Sequence, residues 1–209
     1  MPETLDQARM RMSLNKLLER VRVAFLNSQI RKSRGLGELE NYYLIVTPLV
    51  RNAPMIAGFN WGAPSKDSYI YKPQNAVECT RLRDGQNELG SMGRVITRCE
   101  QRFGNDFLDV ASRTNFCFFR SPSQKDICEE DIDLCRPLFE DLLDIMAPSV
   151  VLVFSHRVRD YLRTQAPLRL GVKTAFLPHP NSRLTNEARD ALWRAALGGP
   201  LSQVNYRPS

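Results

Sequence analysis

A chain of 209 residues, 43 % hydrophobic and 25 % charged, has apolar material for one domain with a sizeable core, which excludes a disordered or fibrous protein. Its apolar runs fall short of a membrane span and its opening, MPETLDQARMRMSLNKLLER, has no signal-peptide core, so no membrane partner is expected. The net charge of +6 admits a polyanionic partner, because basic side chains release the counterions condensed on nucleic acid.

From Thr4 to Asn27, Leu5, Met12, Leu14, Leu17, Leu18, Val21 and Phe25 recur near helical spacing. They predict a helix packed on the body of the domain, with the charge run RMRMSLNKLLERVRVAF as its solvated face. RKSRGLGELENYY breaks that pattern. The run Met55 to Ala57 reads as a buried strand that stops at Gly58. Ser65 to about Gly85 has no period and reads as a long loop of the kind that carries function.

A helix is expected over Glu88 to Phe103, with Met92, Val95, Ile96 and Cys99 on one side. SRTNFCFF predicts a strand ending near Phe118. In the next helix, Ile132, Cys135, Leu138, Phe139, Leu142, Leu143 and Met146 mark one face, and Pro148 stops it. SVVLVF has the β-branched continuity of a strand covered on both faces. A short helix over His156 to Thr164, a strand in VKTAFL and a closing helix in TNEARDALWRAAL follow, the last capped by Thr185 or Asn186. GGPLSQVNYRPS reads as a loose tail from about residue 198.

This alternation predicts a single three-layer α/β/α domain with a central, mainly parallel four-stranded sheet, and a monomer. Five scattered cysteines without a CxxC pair read as reduced thiols, mostly in the core. Together with the absence of a leader, they place the expected chain in the cytoplasm, beside the nucleoid in a bacterium. Two histidines and dispersed cysteines supply no metal-ligand spacing, and neither a Walker motif nor a nucleophile elbow is present. No metal and no cofactor are expected.

In parallel sheets, functional groups gather beyond the carboxyl ends of the strands. Three such ends stand out: AGFNWG, RTNFCFF and FLPHPNSRL. Alone, Asn60 reads as a turn-capping residue. Asn115 offers a donor and an acceptor that either pair inside the core or read a nucleobase edge. His179, between two prolines, is either a satisfied core histidine or a side chain presented by a rigid loop, whereas His156 at a helix start reads as structural or exposed.

Taken in order, GFNWG, TNFC and HPNSR resemble the motifs of the uracil-DNA glycosylase superfamily, and most closely its single-strand-selective monofunctional branch, with G-x-N-P-G, N-[YF]-C and H-P-S-P-R. The resemblance spans about Pro54 to Trp193. It implies an enzyme that flips a modified or damaged base out of single- or double-stranded DNA and hydrolyses its N-glycosidic bond without a metal, leaving an abasic site. By motif position, Asn60 would orient the attacking water and His179 would donate to the base carbonyl as charge develops there. Gly58, Phe59, Gly62 and Asn115 would line the base site, with Tyr69, Tyr71 or Phe116 stacking on the base. Asn181, Ser182 and Arg183 would form the DNA wedge and backbone contact.

Trp61 replaces the proline of the first motif, and HPNS replaces HPSP. Gly62 stands where the strictly uracil-specific branch carries a tyrosine that blocks C5 substituents, so a 5-substituted pyrimidine is expected to fit. The range runs from uracil and hydroxymethyluracil to the glucosylated hydroxymethylcytosine of phage DNA, which would make the activity an antiviral defence rather than repair. The alternatives are an inactive DNA-binding module of the same fold, motivated by Trp61 and Asn181, and an unrelated α/β nucleotide-binding enzyme.

Overall fold

The structure is a computed structural model that describes residues 3–34, 41–62, 77–79, 81–82, 99–100, 103–104, 106–164, 172–178 and 183–197. Its first element, helix α1 (Leu5–Asn27), begins at a capping box: Gln7 N donates to Thr4 Oγ1, and Thr4 N donates to Gln7 Oε1. Met10, Leu14, Leu17, Val21 and Phe25 form its buried stripe. Leu5 and Met12, expected on that stripe, are instead 70 % and 54 % exposed. A repeat of 3.6 residues run backwards from Leu14 arrives at Met10, so Met12 falls on the opposite side. Burying five such side chains contributes on the order of 10 kcal/mol before chain entropy is subtracted.

Helix α2 (Gln29–Arg34) runs into the segment from Arg31 where the pattern is expected to break. Strand β1 (Ile45–Val46) follows. Strand β2 (Met55–Gly62) continues past Gly58, where the sequence predicted its end. Strand β3 (Val77–Glu78) falls inside the expected long loop, the rest of which is almost all outside the described residues. Of the helix expected over Glu88 to Phe103, Cys99, Glu100 and Phe103 are described, and these are helical. A short α3 (Phe107–Val110) then leads into β4 (Ser112–Ser121), which runs beyond the expected end at Phe118.

After a 3₁₀ turn at Gln124–Asp126 comes α4 (Glu129–Met146), whose buried face contains all seven apolar positions read from the sequence. The helix closes at Ala147, in the left-handed region (φ 44), ahead of Pro148. Strand β5 (Val151–Val153), helix α5 (His156–Thr164), strand β6 (Thr174–Phe176) and helix α6 (Asn186–Leu197) complete the order. Thr185 caps α6, its Oγ1 accepting from Ala188 N at 3.2 Å. The expected loose tail lies outside the described residues.

Among the described residues the sheet has six strands in the order β3-β1-β4-β2-β5-β6, two more than the four expected. The four strands read from the sequence are β4, β2, β5 and β6, all mutually parallel. The two-residue β1 and β3 extend the sheet on the β4 side; β1 is antiparallel to β4 and parallel to β3, so the sheet is mixed.

Apolar residues are buried on both faces of the sheet. Val151 and Val153 join the cluster under α1, α4 and α5, while Leu152 joins Ile56, Phe107, Leu108 and Ala175 in the other. In the larger cluster Phe25 meets Tyr42 and Phe119 at ring separations of 5.5 and 5.6 Å. All five cysteines are free thiols; Cys99, Cys117 and Cys135 are buried, Cys79 and Cys128 half-buried. Burial pushes the Cys99 and Cys135 thiols well above the usual range and Cys128 up to about 11, so these three remain protonated and unreactive at neutral pH. Among the described residues no helix is long and apolar enough to cross a membrane.

Candidate functional site

The carboxyl ends of the four parallel strands lie on one edge of the sheet. Along the chain the strands run β2, β4, β5, β6; β4 lies on one side of β2, and β5 and β6 on the other. The connection therefore reverses direction around β2, and such a switch point opens a crevice beyond the strand ends. At this edge β2 ends in Asn60, Trp61 and Gly62, β4 in Ser121, β5 leads into Ser155 and His156, and β6 into Leu177 and Pro178.

β2 and β4 pair regularly from Met55↔Ser112 through Gly58↔Asn115 to Asn60↔Cys117, and then the register shifts so that Trp61 faces Arg120 and Gly62 faces Ser121. Phe118 and Phe119 are the extra residues on β4. An irregularity of this kind bends a strand and re-aims the side chains near it. Here it brings the Ser121 hydroxyl to Asn60.

Asn60 Nδ2 donates to Ser121 Oγ at 2.7 Å and to the Trp61 carbonyl at 3.2 Å, and Ser121 Oγ donates onward to the Ser123 carbonyl at 2.7 Å. The serine proton is used on Ser123 and the Trp61 carbonyl can only accept, so both neighbours require the amide nitrogen on their side. Oδ1 is turned away from them, and no described residue donates to it.

Asn115 lies within β4 rather than at its end, because the strand continues to Ser121. Its side chain is 6 % exposed, and its carboxamide makes no hydrogen bond with any described residue. The Asn115 Oδ1 sits over Gly58: a Cβ added there would come within 2.2 Å of it. Gly58 is required for this close approach and not for a turn. An oxygen facing a Cα–H is a weakly favourable contact, whereas an NH₂ in its place would oppose the glycine hydrogen, so Nδ2 is the group left to donate. With a strand rise of 3.3 Å and a strand spacing of 4.8 Å, the Asn60 and Asn115 backbones are ~8 Å apart.

Two aromatic residues expected in the base site are packed in the core. Phe116 is fully buried against Phe139 and Tyr161, at ring separations of 5.0 and 5.6 Å. The Tyr161 phenol is itself pushed up by burial and by its hydrogen bond to Asp133, and stays protonated. Phe59 is 3 % exposed, with the Arg157 guanidinium 4.6 Å from its ring centre.

Gly62 is the last residue of β2. Arg183 is exposed, just ahead of α6, and His156 is exposed at the first position of α5. Tyr69, Tyr71, His179, Asn181 and Ser182 lie outside the described residues. Trp61 is buried against Tyr43 at 4.6 Å, beneath the Arg113 guanidinium, and its indole Nε1 has no partner among the described residues.

Ser121 and Arg157 were not expected at the site. Arg157 donates to the carbonyls of Gln124 and Ile127, and thereby fastens the turn after Ser121 to α5. Neither residue belongs to a motif, and only the shifted register between β2 and β4 reveals Ser121. Among the described residues no group of three or more His, Cys, Asp or Glu side chains is placed to hold a metal ion. No protein-family model matches the chain, and no curated protein is significantly similar to it.

Proposed function

We propose that the chain is a monofunctional DNA glycosylase that binds a flipped pyrimidine at the carboxyl edge of its sheet and hydrolyses the N-glycosidic bond. The observation that carries this reading is the Asn115 carboxamide, nearly buried and unpaired among the described residues, two rungs from the outward-facing oxygen of Asn60. An amide with no protein partner at the edge of the interior is available to pair with a bound ligand.

In the proposed reaction a neutral base with a carbonyl at C4 accepts from Asn115 Nδ2, which favours a uracil-type ring over cytosine, with its amine at that position. Asn60 Oδ1 accepts from a water and orients it toward the sugar carbon. His179, next in the chain after the buried Pro178 at the end of β6, donates to the departing base as negative charge grows on it. The glycosidic electrons leave with the base, the water oxygen bonds to the sugar carbon, and the water proton passes to solvent. Gly62 leaves the side of the ring that carries C5 without a blocking side chain, in keeping with a 5-substituted pyrimidine. The charge of +6 suits a DNA partner, with the exposed Arg183 at the duplex. The same reading takes the protein as a cytoplasmic monomer of three layers.

The test uses oligonucleotides carrying uracil, hydroxymethyluracil, hypoxanthine or glucosylated hydroxymethylcytosine, followed by alkaline cleavage of abasic sites. Strand breaks are expected on the uracil-type bases. Asn60→Ala and His179→Ala should each lower single-turnover excision by ~100-fold or more while leaving DNA affinity in place. No breaks on any substrate would leave the inactive DNA-binding module as the reading, and equal losses of binding and excision would assign the two residues to folding.

A further inference from the structure

Asn60 can turn about its own side-chain bonds, and in water its amide would sample both orientations. The chain instead surrounds its nitrogen with acceptors. Ser121 is 1 % exposed, and its hydroxyl is committed as a donor to the Ser123 carbonyl, so the lone pair it presents to Asn60 is fixed in direction.

Ser123 is itself anchored. Its N–H donates to Asp126 Oδ2 at 3.2 Å, and its Oγ accepts from Lys125 N at 3.3 Å, which makes a capping box on the 3₁₀ turn. Two arginines clamp that turn from different elements. Arg34, at the end of α2, pairs with Asp126, and Arg157, in the first turn of α5, donates to the carbonyls of Gln124 and Ile127 while its guanidinium covers Phe59, the residue before Asn60.

We propose that Ser121 is a positioning residue that holds the Asn60 carboxamide with its oxygen outward, and that Arg157 positions Ser121 through the turn at 122–127. The catalytic consequence rests on the glycosylase reading; the orientation of the amide does not. The environment is also specific for an amide: a carboxylate at position 60 would direct a charged oxygen at the Trp61 carbonyl and at the Ser121 lone pair.

The test has one arm for each part. In the first, nuclear magnetic resonance of protein carrying ¹⁵N-labelled asparagine follows the Asn60 Nδ2 pair, assigned by its loss in Asn60→Ala. A fixed amide gives two well-separated, exchange-protected proton signals. Ser121→Ala should shift these signals and remove their protection, Ser121→Thr should retain them because it keeps the hydroxyl, and Arg157→Lys should shift them by less. Circular dichroism and thermal melting establish that each variant is folded. Unchanged Asn60 signals in a folded Ser121→Ala protein would overturn the positioning role.

In the second arm, on whichever substrate the wild type cleaves, Ser121→Ala should lower single-turnover excision by about 10- to 100-fold with KM unchanged, and Ser121→Thr should restore it. Full activity in Ser121→Ala would overturn the proposal even if the signals move. A wild type that cleaves nothing overturns the glycosylase reading instead, and the first arm still decides whether Ser121 orients Asn60.

Discussion

Two buried polar side chains receive opposite treatment from the same fold. Asp131, fully buried at the start of α4, accepts from Gln29 N at 2.7 Å, from Ile30 N at 3.2 Å, and from the Cys128 N–H and thiol at 3.4 and 3.3 Å. One carboxylate thereby satisfies the first amides of α2 and the N-cap amide of α4, and places a negative charge at the positive end of each helix. Asn115, almost as deeply buried, is offered nothing by the described residues. Around Asp131 the interior closes on the carboxylate, while at the carboxyl edge the Asn115 carboxamide and the Asn60 oxygen have no hydrogen bond among the described residues. That difference separates a group whose hydrogen bonds are all made inside the protein from one left available to a ligand.

The first way to break the contrast is to remove the satisfied group. Asp131→Ala leaves several amides without their acceptor and frees α2 from α4, so urea denaturation should report a loss of about 3 kcal/mol. On the proposed function, excision by the remaining folded protein should be unaffected. A loss below about 1 kcal/mol would mean that water replaces the carboxylate and that the interior is not closed as described.

Gly58→Ala acts on the open side. The added Cβ would lie 2.2 Å from Asn115 Oδ1, so either the asparagine moves or the strands separate. A destabilisation of about 1–3 kcal/mol is expected, with loss of excision. In the double variant Gly58→Ala with Asn115→Ala the clashing atom is gone, and most of the stability should return while excision stays lost. Strictly additive losses would show that the glycine serves another neighbour.

These two sites also mark how far the sequence carries. The α4 stripe and β5 were legible because long apolar periods and β-branched runs report burial directly. The strands β1 and β3, at two residues each, are too short to carry any period; β1 exists because β4 supplies a neighbouring edge, and β3 because β1 supplies the next one. Gly58 was read as a stop, since a glycine in a strand has no apolar signal, although its role is to admit the side chain of a residue 57 positions later. Asn60 and Asn115 could be picked out as candidates, but Phe116 and Asn115 are adjacent and only the strand's direction decides which faces the core. Ser121 and Arg157 act through register and a turn, and no local pattern encodes either.

The smallest expected change in stability is the one that sharpens the contrast most. Asn115→Ala removes a carboxamide that has no hydrogen bond among the described residues, so its cost is limited to the small void left behind. Denaturation should place the variant within ~1 kcal/mol of the parent, whereas Asp131→Ala, at a comparable depth, should be far outside that range. Excision of a uracil-type base should fall by ~100-fold, because discrimination built on a hydrogen bond to the base is lost when the donor is removed. Stability retained with function lost is the signature of a group maintained for a ligand. A loss of 2 kcal/mol or more would instead give Asn115 a structural partner and remove it from the site.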